Sequence, residues 1–395
     1  MSEIATSKLR PSETRLRIGL LRLTDSAPVI VAQEFGYFAE EGLEAELSVE
    51  PSWANIADKL AYGLLDAAVI VPPLAFAIAM GLRGIRQNLI IPCGVSLGGN
   101  TITLEKTLAE KMRQAARGMT APEALRQILE KRGTPLALGI VHTFSTHNLL
   151  LRYWLAAAGL EVGRGVQLVV VPPSRTVEAL SSGAIAGFCT GAPWGEVAAR
   201  AKAGTTIATS DDIWCNAPEK AFAVSARWAD SHSESLNGAL RALVRAGQFC
   251  DEPGNASYTG ALLSRHKYLD VDSHAILSSL PGGAITPGNV SRFWRHTAMF
   301  PWLSQAQWFL AQMARWKLID EAVDQAALAR QVYRPDLYRA AIAPLGISMP
   351  MDDAKCEGGH TQPWSLAAAP APIPMGPDLF CDGVIFQPTP SMRGR

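Results

Sequence analysis

The sequence predicts an α/β protein built as two similar lobes around a cleft, and three observations carry that prediction. Strand-like and helix-like apolar periods alternate from Leu16 to about Ser225, the pattern of strands covered by helices. One unit also repeats. Ile56–Pro73 (IADKLAYGLLDAAVIVPP) is echoed by Thr176–Pro193 (TVEALSSGAIAGFCTGAP). Each copy is an amphipathic helix closed by a glycine (Gly63, Gly183), then an apolar pair, a small-residue strand and a proline-bearing loop. Finally, Ser96–Asn100 is a glycine-rich crossing, suited to a hinge because paired glycines adopt backbone conformations other residues resist. Two lobes joined by a hinge enclose a cleft, where small ligands bind.

The elements follow in order. Residues 1–15 are polar and read as a disordered arm. Leu16–Leu23 is a strand, and Asp25 or Ser26 is placed to cap the helix that Pro28 helps start. That helix ends near Gly36. Glu44–Val49 alternates as a strand, Pro51-Ser52 is a loop, and a helix runs from about Trp53 to Tyr62. Asp66–Val71 and Leu89–Val95 are strands flanking a short apolar helix, Leu74–Met80. Beyond the crossing come a polar helical stretch, Glu105–Arg132, a strand at Leu136–Val141, an amphipathic helix at Ser145–Ala158 and a strand at Val166–Val171. Ile207–Thr209 and Ala221–Ser225 are the strands expected to cross back. The sheets are expected to be of parallel type. Lobe I is therefore 16–99 plus 225–348, with a helical C-terminal part, and lobe II is 100–224. The stretch from Met349 to 395, rich in Pro, Gly and Ala, reads as an extended tail over the surface.

Composition narrows the class. The chain has 395 residues, 48% hydrophobic and 18% charged, enough for a full core. Its formal net charge is zero, which argues against a general basic surface for nucleic acid. The six cysteines, Cys93, Cys189, Cys215, Cys250, Cys356 and Cys381, form no C-x-x-C and read as buried reduced thiols. The first fifteen residues show no apolar signal region and no cleavage site. No apolar run approaches the roughly 20 residues a membrane span needs. A cytoplasmic location without a membrane span is the expectation.

Several constellations could carry chemistry. Gly94-Val95-Ser96-Leu97-Gly98 matches G-x-S-x-G, but a nucleophile elbow needs a helix after the turn, and Thr101–Leu104 reads as extended. A hinge accounts for it better. His142 and His147 stand five residues apart, too far to share a helical face as a metal pair. Ser145 and Thr146 instead look like the N-cap of the next helix, whose free N–H groups attract anions; a solvated loop with no ligand remains the competing account. Trp53 begins a helix after Pro51-Ser52 and reads either as core or as an indole N–H donor at a cleft rim. Gly191 lets a backbone amide approach a ligand. Lys220, taken alone, is an ordinary surface lysine. There is no Walker A motif, no G-x-G-x-x-G after a strand, no H-E-x-x-H and no zinc cysteine pair, so no cofactor or metal is expected.

Several runs in order, LTDSAPVIVAQEFGYF, EPSWANIADKLAYGLLDAA, LRYWLAAAGL, VVVPPSRTV, CTGAPWGEVA and IWCNAPEKAFAV, resemble the nitrate/bicarbonate solute-binding family of bacterial ABC transport systems over about Leu16 to Tyr338. The resemblance implies a periplasmic-binding-protein fold (type II) closing on a small oxyanion. It implies a ligand set of Trp53, Asn100, His147, Gly191 and Lys220, with Asn100 standing where transporter members tend to have Gln, and with His142 competing for the place of His147. Nitrate has acceptors only, so donors without carboxylates suit it, whereas bicarbonate also needs an acceptor. With no carboxylate seen among these positions, nitrate or nitrite is preferred.

Lacking an export signal, the chain resembles within this family the cytoplasmic, NasS-like nitrate sensors, non-enzymatic proteins that hold an RNA-binding, NasT-like antiterminator inactive until nitrate arrives. The alternatives are the substrate-binding component of a nitrate ABC transporter and, third, an enzyme akin to the thiamine-pyrimidine-synthase relatives of the fold.

Overall fold

The computed structural model describes residues 14–389 except 83, 116–117 and 284–288. The expected disordered arm at 1–15 lies outside the described residues apart from Thr14 and Arg15, which open the first strand.

The first lobe begins with β1 (Thr14–Leu20), β2 (Leu43–Val49), β3 (Ala67–Ile70) and β4 (Leu89–Leu97). Gly98 and Gly99, both at positive φ, make the crossing. The second lobe holds β5 (Asn100–Glu105), β6 (Leu136–Ile140), β7 (Glu161–Val162), β8 (Gly165–Val170), β9 (Gly187–Gly191) and β10 (Gly204–Thr209). The chain then returns as β11 (Pro218–Ser225).

The two sheets repeat one plan. The first has the order β2-β1-β3-β11-β4 and the second β7-β8-β6-β9-β5-β10. In each, a central strand pairs in parallel with two neighbours: β1 with β2 and β3, and β6 with β8 and β9. In each, the next strand is the one that has crossed from the other lobe, and it runs antiparallel: β11 against β3 and β4, β5 against β9 and β10. The sequence echo is this repeat seen through β3 and β9. The sheets are thus mixed rather than parallel. A strand entering from the opposite lobe arrives in the reverse direction, which periodicity does not encode.

The expected lobe boundary at 224/225 falls too late. β11 lies wholly in the first sheet, so the return crossing lies between Thr209 and Pro218. Lys220 therefore belongs to lobe I. The crossing at Gly98-Gly99 packs tightly: a Cβ on Gly98 would stand 2.7 Å from the Val290 carbonyl, and one on Gly99 2.3 Å from Ser291 Oγ.

Helices cover both sheets. Ala27–Glu34 packs against the long helix Ser233–Asp251, and Pro72–Met80 against Leu303–Arg315. The polar stretch after β5 is two helices, Lys106–Ala115 and Ala121–Glu130. Thr120 caps the second one in a box with Glu123. The stretch after Met349 is more than a surface tail. Phe380 is buried against Trp214, Trp308 and Tyr153, and the buried Glu357 accepts from Ser304 Oγ at 2.7 Å. A few well-spaced apolar anchors suffice to dock an extended segment, and they leave no periodic signature. Among the cysteines, Cys93, Cys189 and Cys250 are buried, whereas Cys215 and Cys356 are half-buried and Cys381 is exposed. Among the described residues no helix is long and apolar enough to cross a membrane.

Candidate functional site

The parallel strands β1, β3, β6 and β9 end toward the same interlobe crevice, the place where open α/β sheets bind ligands. Lys220 is its centre. It is 2% exposed. Successive residues of a strand normally face opposite ways, yet Glu219 and Lys220 both turn into the crevice. The pairing of β11 with β4 is irregular on both sides of Lys220, and such a bulge re-aims side chains. Lys220 Nζ lies 2.5 Å from Glu219 Oε1 and 2.7 Å from Asp25 Oδ2.

The other residues come from both lobes. Asp25 sits in the short turn after β1, Thr24–Ser26. Asn100 opens β5, and its Nδ2 donates to Glu219 Oε2. Ser145 caps the helix Thr146–Ala157 by accepting from Asn148 N at 3.1 Å. That places His147 in the first turn, fully buried, with Nε2 3.3 Å from Glu219 Oε1. Thr146 Oγ1 donates to the Glu219 carbonyl at 3.3 Å. Ser52 caps the helix Trp53–Ala61 in the same way, accepting from Asn55 N. Trp53 is buried with its ring 5.5 Å from Lys220 Nζ. Gly191 ends β9 opposite Asn100. A Cβ there would meet Asp25 Oδ2 at 3.3 Å and Asn100 Oδ1 at 3.5 Å.

These groups are incompletely satisfied. Among the described residues, Trp53 Nε1, both ring nitrogens of His147, Asp25 Oδ1, Asn100 Oδ1, Ser96 Oγ and Thr190 Oγ1 are buried without a hydrogen-bond partner. Buried polar groups are nearly always paired, so a cluster of orphans around one ammonium is shaped for a polar guest.

The electrostatics follow from burial. It raises Asp25 above the ordinary carboxylate range, and Lys220 only partly offsets this. It raises Glu219 likewise, against Lys220 and with help from Asp25. Burial alone would lower Lys220, but Asp25 and Glu219 outweigh it and hold the ammonium protonated. His147 is pushed well below its ordinary value by burial and then by Lys220, so its imidazole is neutral.

The structure brings together all five residues the resemblance implied: Trp53, Asn100, His147, Gly191 and Lys220. His142 is turned into its own loop, where its Nδ1 accepts from Phe144 N at 3.0 Å. Two expectations are corrected. The site was expected to lack carboxylates, yet Asp25 and Glu219 flank the lysine. Glu219 stood beside Lys220 in the sequence, just before the strand expected at Ala221–Ser225, and nothing in the residue types marked it as part of the site. Asp25 was expected as a helix cap, but its carboxylate goes to Lys220 instead, and Ser26 makes no side-chain cap. The G-x-S-x-G match is no elbow: Ser96 lies inside β4, paired with Lys220.

Comparison with known proteins matches a family model, described as the NMT1-like family, over residues 10–264. The chain belongs to the NMT1-like family. Within it, the chain is 30% identical over 397 residues to the nitrate/nitrite binding protein NrtA of Synechococcus elongatus, covering 96% of this chain and 84% of that one. It is 33% identical over 339 residues to the bicarbonate transport ATP-binding protein CmpC of the same species, covering 85% of this chain. The chain spans half the length of the ATP-binding relatives it matches. The crystal structure of the periplasmic nitrate-binding protein NrtA from Synechocystis superposes with a TM-score of 0.82 at 26% identity, covering 95% of this chain and 96% of that one. The periplasmic-binding-protein fold and the resemblance to the nitrate/bicarbonate solute-binding proteins both hold for this member of the NMT1-like family.

Proposed function

We propose that this chain binds a small planar oxyanion, nitrate or nitrite, in the interlobe crevice, as the substrate-binding component of an ABC import system. One observation carries the reading: Lys220, with the unpartnered donors of Trp53 and His147 beside it, converges on one buried point between the lobes. A buried ammonium with added N–H donors suits an acceptor-only monoanion. The NrtA relatives carry nitrate in their names, and this supports the choice of ligand. Isothermal titration with nitrate, nitrite and bicarbonate tests it, and the absence of saturable nitrate or nitrite binding would sink it.

Bicarbonate is the second reading, and a specific group favours it. Asp25 Oδ1 is a buried acceptor without a donor, and bicarbonate brings a hydroxyl that nitrate lacks. The same titration decides between them.

The regulatory role, acting in the cytoplasm with a NasT-like antiterminator, would require nitrate to favour the free form over the partner-bound form. A partner complex left intact by nitrate titration would remove that role. We read the chain as a binder rather than an enzyme: burial raises the thiols of Cys93 and Cys189, which disfavours either as a nucleophile.

A further inference from the structure

The crevice holds two carboxylates against one ammonium, with the histidine neutral. Bringing a monoanion there unaided would leave two net negative charges buried together, an arrangement that desolvation penalises heavily. Nitrate in this pocket therefore needs a compensating proton, and the geometry shows which group is built to take it.

Glu219 is fully engaged. Its Oε1 meets Lys220 Nζ at 2.5 Å and lies 3.3 Å from His147 Nε2. Its Oε2 accepts from Asn100 Nδ2. Each oxygen of its charged form has a donor or lies against one. Asp25 is different. Its Oδ2 meets Lys220 Nζ at 2.7 Å, but its Oδ1 is buried with no donor among the described residues. A carboxylate with one oxygen unserved loses little by protonation. The hydroxyl so formed would be a donor in a pocket whose guest has only acceptors.

We propose that Asp25 is the specificity-determining residue of this pocket, taking up one proton with each nitrate or nitrite and staying ionised to accept from a ligand that brings its own proton. This rests on the oxyanion-binding reading above. The charged groups that act on Asp25 are Lys220 and Glu219 on β11; the His147 imidazole, on the helix Thr146–Ala157, and the Cys189 thiol, on β9, belong to the same cluster through Lys220 and Glu219. Of these, two could compete for the proton: Glu219, which burial also raises, and His147, whose Nδ1 is unpartnered.

Titration calorimetry of the full chain with sodium nitrate tests this, run in buffers of different ionisation enthalpy and across pH 6 to 9. The wild type is expected to take up about one proton per nitrate in the upper part of that range, where its Kd rises about tenfold per pH unit. Asp25→Asn mimics the protonated acid, so its nitrate affinity should be flat with pH and its proton uptake near zero. His147→Gln should still show uptake. Wild-type binding with no proton uptake at any pH overturns the proposal, as does uptake that survives in Asp25→Asn, whether or not it vanishes in His147→Gln. Should Asp25→Asn not fold, Asp25→Ser takes its place, and uptake that survives in it overturns the proposal. An absence of nitrate binding at every pH would instead defeat the underlying reading, so the two failures are distinguishable.

Discussion

Lys220 Nζ and Asp25 Oδ2 stand 2.7 Å apart with both side chains almost entirely buried, one from the strand that returns to the first lobe and one from the turn that follows its first strand. The contact locks β11 to the mouth of β1. It also fixes the ammonium where Trp53 covers it and His147 approaches from the other lobe.

Lys220→Ala should therefore act twice. It removes the one cation at the centre of the site, and nitrate binding should fall below detection in calorimetry. It also leaves Asp25 and Glu219 buried without their countercharge, and losing one partner of a buried pair costs about 3–5 kcal/mol. Chemical denaturation should show a loss of stability of that order. A variant that kept its affinity would remove Lys220 from the binding set.

The free protein should lose stability as pH rises. The folded-state pKa values of Asp25 and Glu219 are raised by burial. The folded chain thus holds protons that the unfolded chain releases, from the ordinary carboxylate range up to the raised values. Stability is full below that range and declines as pH climbs through the window. Lys220, raised by its two carboxylates against its own burial, keeps its contribution below its ordinary value and loses it only at higher, strongly alkaline pH. Denaturation midpoints measured from pH 5 to 8 should fall, and Asp25→Asn should flatten the slope. A rise over that interval would contradict the assignment.

The fold was legible because each lobe is a repeat of helix and strand, and the echo at Ile56 and Thr176 marks the same strand, β3 and β9, in both sheets. Three of the five residues, Trp53, Gly191 and Lys220, were legible through the short motifs P-S-W, T-G-A-P-W and P-E-K, whereas Asn100 and His147 stand in no such motif and followed only from the order of the resembling runs. What stayed hidden depends on contacts between distant segments. Alternation along a strand assigns Glu219 to the wrong face, since only the irregular pairing of β11 with β4 turns it inward. Asp25 lies in a stretch whose residue types suit a helix cap, and nothing local reveals that the lysine waiting for it lies on β11. The reversed direction of β5 and β11 is a property of the crossings, and the segments that become those strands read alike in either direction.

Trp53→Phe should weaken binding while sparing the fold. The indole N–H is buried and unpartnered, and phenylalanine keeps most of the apolar wall beside Lys220. Losing one hydrogen bond to a charged ligand costs about 1.5–3 kcal/mol, and calorimetry should read a corresponding drop in nitrate affinity. The denaturation midpoint should move little, because the variant leaves no buried donor stranded. Unchanged affinity would mean that the indole N–H points away from the ligand.

Gly191→Ala tests the closeness of the second lobe to the site. The added methyl would sit 3.3 Å from Asp25 Oδ2, 3.4 Å from Leu23 Cδ2 and 3.5 Å from Asn100 Oδ1. None of these distances forbids folding, and Gly191 is not among the glycines at positive φ, so the backbone carries no strain from the change. The methyl occupies space at the end of β9, opposite Asn100 and against Asp25 Oδ2. Stability should fall by no more than about 1–3 kcal/mol, the usual cost of the adjustment to an added methyl in a packed site. Nitrate affinity should fall by tenfold or more, about 1.4 kcal/mol, because the adjustment moves Asp25 and Asn100 against the ligand. The opposite pattern, a large loss of stability with affinity intact, would place the ligand away from the end of β9.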